Sequence, residues 1–303
     1  MTKPPRLRPG DAVGIIAPCY ALDEAYAPLL RERFTAKGYR VRFGDNAFRA
    51  TYGFAASPEE RAADFHALLA DDTVRMLLFG GGEVGNELLP LLDFDLARRR
   101  PKILCSYSDG ATLLNAVTAR AGLATFYGQS PRTFFDPKPY NEGWFDRVFA
   151  GADIPVYLPS APWRVLRGGA GAGRLIGGYL VNFAVMLGGR YLPVDPNERY
   201  LLCIEDHVRF SSPAVVSKYF SHIEQTGFFS QVTGLLFGHY SDEPSPAVDD
   251  ILLRLARRYR IPVARCEDYG YGENNALLPL GAQARLDADK GRLEFLETLT
   301  ESV

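Results

Sequence analysis

The feature that most narrows the fold is a unit that recurs through the first half of the chain. A short, mainly apolar run ends in a glycine, proline or serine turn and gives way to a helical pattern. Residues 12–17 (AVGIIA) stop at Pro18, and 74–79 (VRMLLF) run into Gly80, Gly81, Gly82 and Gly85. Residues 102–107 (KILCSY) break at Ser108-Asp109-Gly110 before a helical stretch over 111–120. Continuous apolar runs of this length suit strands covered on both faces, and their alternation with helices builds a parallel sheet between helical layers. Helical patterns over 22–36 and from Ser57 onward, with a short strand over 39–43, complete the alternation. Ser57-Pro58-Glu59-Glu60 has the form of a helix start: serine as cap, proline in the first turn, glutamate three residues after the cap.

The alternation lapses over 151–172, which is rich in proline and glycine and has no period, so it is expected to link two domains. The reading is therefore α/β: an N-terminal parallel-sheet domain over 1–150 and a smaller mixed α/β domain over 173–303. The second half holds an apolar helix over 179–187, then strands over 200–204 (YLLCI), 234–237 and 263–266. Helices start at Ser212-Pro213 and Ser245-Pro246, and strands over 282–286 and 292–296 flank DADKG as a hairpin. No period of 20–50 residues is visible, which excludes a solenoid.

Composition removes several classes of function. Lys and Arg total 34 against 36 Asp and Glu, so there is no basic footprint for nucleic acid. The longest apolar stretch, 175–187, falls short of the roughly 20 residues a membrane span needs. The opening MTKPPRLRPGD has no apolar h-region of a secretory signal, so a cytoplasmic protein is expected. Cys19, Cys105, Cys203 and Cys266 form no CxxC, and the four histidines show no HExxH, so no metal site is expected.

Three turns could carry chemistry. In Ser106-Tyr107-Ser108-Asp109-Gly110, a serine between strand and helix fits the nucleophile elbow GxSxG, with Ser106 in place of the first glycine. On this motif alone, Ser108 as a mere cap of the following helix is the reading ahead. Strand alternation favours Ser108 over Ser106 as the exposed residue. In Gly80-Gly81-Gly82-Glu83-Val84-Gly85, glycines allow close approach of backbone to a ligand, or simply a tight turn. No GK[ST] follows, and the segment sits on the third strand, so neither a phosphate loop nor a dinucleotide fingerprint fits. Glu205-Asp206-His207 ends the strand YLLCI, where α/β sites form, and His239 closes the strand over 234–237.

Together and in this order, the motifs resemble the L,D-carboxypeptidase family of serine peptidases. That family includes the murein tetrapeptide carboxypeptidases and the microcin C immunity peptidases. LLFGGGEVGNELLPLLDFD followed by KILCSYSDGAT is similar to the family's Gly-Gly turn, "LLP.LD" helix and "GYSD.T". Ile15-Ile16-Ala17-Pro18, Leu175-Ile176-Gly177-Gly178 and Ile204-Glu205-Asp206 match further segments in register. Gly270-Tyr271-Gly272 through Leu278-Pro279-Leu280-Gly281 resembles the closing "GFGH…lPlG". The resemblance covers nearly the whole chain. It implies Ser108 as nucleophile, the amides of Asp109 and of the Gly81-Gly82 turn as oxyanion hole, and Glu205 as the acid orienting a histidine. It also implies a homodimer acting without cofactor on a small peptide-like substrate. At the histidine position this sequence has Glu273. Three functions follow: a carboxypeptidase-like hydrolase with a rearranged base, a relative recruited to another amidase or acyl transfer, and a non-catalytic peptide binder. Glu273 is expected beside Glu205, sharing a proton, with His239 as the other candidate base.

Overall fold

Strand β1 (Ala12–Ile16) is buried along its whole length, as its unbroken apolar run requires. The structure, a computed structural model, describes residues 1–151 and 156–301. After β1 come β2 (Arg40–Phe43), β3 (Val74–Phe79), β4 (Ile103–Ser106) and β5 (Thr125–Tyr127). The next strands are β6 (Arg164–Arg167), β7 (Ala170–Tyr179), β8 (Tyr200–Glu205), β9 (Val232–His239) and β10 (Val263–Gly270). The chain finishes with β11 (Leu278–Leu280), β12 (Gln283–Asp287) and β13 (Arg292–Phe295). Helices α1 (Ala27–Ala36), α2 (Pro58–Ala70), α3 (Phe94–Arg99) and α4 (Ala111–Ala121) connect the first strands. α5 (Pro139–Phe145), α6 (Leu180–Met186), α7 (Pro213–Gln225) and α8 (Pro246–Tyr259) follow. The capping box at Ser57 forms: its hydroxyl accepts from the Glu60 amide at 3.2 Å, and the Glu60 carboxylate accepts from the Ser57 amide at 2.9 Å.

Two sheets result. The first runs β11-β5-β4-β3-β1-β2, parallel throughout except for antiparallel β11. Its order reverses between β1 and β3, the kind of crevice where open α/β sheets place their ligands. The second runs β13-β12-β7-β8-β9-β10-β6, with a parallel centre β7-β8-β9-β10 and antiparallel strands at both edges. It has seven strands against six in the first.

The stretch expected as a linker, 151–172, is built into this second sheet. β6 pairs with β10, and β7 starts at Ala170 inside the glycine-rich run. Residues 152–155 of that stretch lie outside the described residues. The glycines are there because neighbouring backbone leaves no room for a side chain. A Cβ at Gly171 would lie 2.0 Å from Thr233 O, and one at Gly173 2.4 Å from Arg199 O. Nor do the sheets divide by chain order, since β11 from the far end completes the first sheet beside β5. Among the described residues no helix is long and apolar enough to cross a membrane.

Candidate active site

At the end of β4 the chain reaches Tyr107 in extended conformation and then turns through Ser108 at φ +59° into a short 3-10 turn and α4. A left-handed serine costs about 1–2 kcal/mol, so the turn is held by its surroundings. Its amide donates to Tyr127 Oη at 3.2 Å, from the end of β5. Ser106 is fully buried and donates its hydroxyl to Phe79 O at 2.8 Å, so the hydroxyl at the turn is that of Ser108.

The Gly80–Gly85 turn closes against this elbow. A Cβ on Gly81 would sit 2.6 Å from Ser108 Cβ and 2.9 Å from its Oγ, so only glycine fits there. Gly82 lies equally close to Cys19 and Tyr20, in the loop after β1. Asp109 fixes the turn from one side: its carboxylate accepts from the Gly85 amide at 2.8 Å and from Asn182 Nδ2 of α6. Arg61 fixes it from the other. This buried guanidinium donates to Pro18 O at 2.7 Å, Ala56 O at 2.9 Å and Val84 O at 3.2 Å, and pairs with Glu87. One side chain thus ties together the loops that follow β1 and β3.

The second sheet faces the elbow with the C-terminal ends of its parallel strands. Tyr179 ends β7, Glu205 ends β8, His239 ends β9, and Tyr271 follows β10. Glu205 is fully buried, and Tyr127 donates its hydroxyl to Glu205 Oε1, while Oε2 has no hydrogen-bond partner. Burial pushes the Glu205 pKa up to about 8, with a further rise from the Asp206 charge; the Tyr127 hydrogen bond works against both. Asp206 is pushed up to about 6, again by burial. Its Oδ1 accepts from the His207 amide at 2.7 Å. Burial, helped by His239 and Arg209, holds the His207 imidazole below its ordinary pKa. His207 Nδ1 accepts from the Arg209 amide at 3.2 Å, which leaves the ring proton of the neutral form on Nε2.

The expected Glu205–Glu273 pair does not form. Glu273 is exposed in the turn after β10, its backbone carbonyl accepting from Asn141 Nδ2 at 3.0 Å, and its charge acts on Lys138. The carboxylate that acts on Glu205 is that of Asp206. His239 is buried beneath the same turn, against Gly272, with Nδ1 2.5 Å from Glu267 Oε2 and Nε2 3.6 Å from Asp242. Burial alone would raise the Glu267 carboxyl, but the His239 hydrogen bond and charge and Arg265 bring it below its ordinary value. Among the described residues, the hydroxyl of Ser108 has one hydrogen-bond partner, Tyr271 Oη. The sequence reading brought Ser108, Glu205 and Gly81 to one place and missed both tyrosines. Tyr127 lies on a three-residue strand with no periodic signal, and Tyr271 entered only as part of the closing segment that resembles GFGH.

Two clefts open at Gly272 and Glu273. One, of ≈ 360 Å³, is lined by Tyr107, Arg132, Lys138, Arg209, Phe210 and Tyr271 among others. Lys138 is paired with Asp136 at 2.9 Å, whereas neither Arg132 nor Arg209 has an ion-pair partner among the described residues. Tyr107 Oη is buried without a partner as well. The other, of ≈ 510 Å³, is lined by His239, Asp242, Glu243, Glu267 and Glu273, with Arg164 and Arg265 tied to Asp249. Among the described residues no cluster of His, Cys, Asp and Glu has the makings of a metal site.

A serine on a strand-to-helix elbow, a glycine turn against it and a buried glutamate on a facing sheet mark the candidate site of an α/β protein of two sheets. The chain belongs to the LD-carboxypeptidase family: residues 13–128 match the family's N-terminal domain and 172–286 its C-terminal domain. It is 28% identical to a Treponema pallidum protein provisionally named a carboxypeptidase, over 94% of this chain and 92% of that one. It is 25% identical to the microcin C7 self-immunity protein MccF of Escherichia coli, over 86% and 85% of the two chains. The fold matches a solved MccF-like protein from Bacillus anthracis with a TM-score of 0.88 at 22% identity, covering 98% of this chain and 99% of that one.

Proposed function

We propose that the chain is a serine hydrolase of the L,D-carboxypeptidase type, cleaving an amide bond of a small peptide-like substrate through Ser108. The observation that carries this reading is the left-handed Ser108 packed against Gly81 and joined through Tyr127 to buried Glu205, where the parallel strands of two sheets present their C-terminal ends. Ser108 attacks the carbonyl, and the amides of Asp109 and of the Gly81-Gly82 turn receive the oxyanion, fixed in place by Arg61 and the Asp109 carboxylate. Glu205 orients the site through Tyr127, which joins it to the Ser108 amide. A carboxypeptidase must also hold the terminal carboxylate of its substrate. The ≈ 360 Å³ cleft offers for it the guanidinium groups of Arg132 and Arg209, which have no ion-pair partner among the described residues. Among relatives, MccF has been solved with aspartyl sulfamoyl adenosine, a peptide-like nucleotide. Recruitment to such a substrate is the second reading, favoured by the exposed Phe210 at the mouth of the cleft, 58% accessible.

The test is labelling of Ser108 by a serine-directed phosphonate, followed by turnover of a panel of L,D-peptides and aminoacyl amides. Ser108→Ala should lose both label and turnover. Absence of label on the parent chain would leave a binding protein. The same reading carries a cytoplasmic homodimer, measured by cell fractionation and sedimentation.

A further inference from the structure

Resting on the hydrolase reading above, the geometry points to Tyr271 as a catalytic residue of this chain, a phenol that passes the proton of Ser108 to the departing nitrogen. Its hydroxyl is the group hydrogen-bonded to Ser108 Oγ. Its ring is held by Tyr107 and Phe210 at 4.8 Å, His207 at 5.6 Å and Tyr179 at 6.0 Å between centroids, so the hydroxyl is aimed rather than free to swing. No imidazole or carboxylate reaches Ser108 Oγ among the described residues. The pattern the sequence resembles reads GFGH where this chain reads Gly270-Tyr271-Gly272-Glu273. Within a single turn, an imidazole is absent and a phenol is present.

What a phenol does here follows from its environment. Burial, and then the charge of Glu205, raise the Tyr271 pKa, so a phenolate base is unavailable near neutrality. A neutral phenol both accepts and donates. In the acylation step a lone pair of Ser108 Oγ forms the bond to the carbonyl carbon while the hydroxyl proton moves to Tyr271 Oη. The proton already on Oη moves to the amide nitrogen, and the C–N bond breaks with its electron pair leaving on that nitrogen. The products are an acyl-serine, a neutral amine and a neutral tyrosine. Water then bonds through its oxygen to the acyl carbon, giving a proton to Oη as Oη returns one to Ser108 Oγ, and the ester C–O bond breaks with its electron pair leaving on Oγ, releasing the free acid. No other reactant is needed.

This relay matters for leaving groups that need a proton and little for those that do not. The experiment compares an amide and a p-nitrophenyl ester sharing one acyl group, with the parent chain, Tyr271→Phe and the double variant Tyr271→Phe/Glu273→His. Expected for Tyr271→Phe is a fall in kcat for the amide of about 100-fold or more. The loss for the ester should be far smaller, KM for the amide should change little, and phosphonate should still label Ser108. The double variant should stay as low as Tyr271→Phe, because position 273 is exposed and lies away from the Ser108 hydroxyl. Amide and ester falling together in Tyr271→Phe, or amide turnover preserved or increased, would overturn the relay while leaving Ser108 as nucleophile. Ester turnover and labelling without amide turnover in the parent chain would also overturn it. Neither labelling nor turnover in the parent chain would remove the hydrolase reading itself, and the relay with it.

Discussion

Glu205 shows at the scale of one residue how the site is held. A fully buried carboxyl with one oxygen unpartnered is more stable with its proton on, hence its pKa of about 8 against an ordinary 4.5. Raised in the folded state, it stabilises the fold fully below pH 4.5. That contribution is lost as pH rises, by about 1.4 kcal/mol per pH unit until it levels off near 8. Asp206 adds a smaller loss between 3.8 and about 6. Glu205→Gln keeps the shape without the titration, so its unfolding free energy should fall less than the parent's between pH 5 and 8. Urea melts at several pH values measure this, and parallel curves would contradict it. A second residue pair accounts for Ser106 in the place of the elbow's first glycine. A Cβ at Gly110 would lie 1.9 Å from Ser106 Oγ, so Ser106 and Gly110 fit only together. Gly110→Ala should destabilise by about 1–3 kcal/mol, and adding Ser106→Gly should recover much of it in a double-mutant cycle.

Among elements, the loops after β1 and β3 depend on Arg61. Arg61→Met leaves the buried carbonyls of Pro18 and Ala56 without a donor, at about 1–3 kcal/mol each. The expected outcome is a lower Tm together with a fall in kcat larger than any change in KM, because the turn carrying Gly81 loosens. Unchanged kcat with a lowered Tm would confine Arg61 to stability. Legibility followed the same physics. β1, β3, β4 and β8 were readable because strands covered on both faces need unbroken apolar runs. The start of β7 was not, because AGAG is what a strand looks like when neighbouring backbone leaves no space for side chains. β5 is too short to show a period, so Tyr127, which bridges Ser108 and Glu205, stayed out of sight. Ser108 and Glu205 themselves were legible because each ends a readable strand. The error at Glu273 came from placing a side chain by motif position, where Tyr271 holds the space beside Ser108.

For the molecule as a whole, the site exists only where two sheets present their C-terminal edges to each other, and much of the bond network crosses between them. Asn115 Nδ2 donates to Gly177 O at 2.8 Å, Asn182 Nδ2 to Thr112 Oγ1 at 2.8 Å, and Tyr127 to Glu205. Splitting the chain between the sheets should therefore remove activity even where each part retains helix and strand. The pairing of β11 with β5 sets a condition on the order of events during synthesis. Leu278, Pro279 and Leu280 are translated about 150 residues after the strand they complete. Until they arrive, Thr125, Phe126 and Tyr127 form an uncovered sheet edge, open to pairing with any other nascent chain. A chain ended before Leu278 should thus be found in inclusion bodies. In the intact chain Tyr127, which joins the Ser108 amide to Glu205, gains its neighbouring strand only once residue 280 has been made, so a hydrolase of the proposed kind would stay inert until almost fully synthesised.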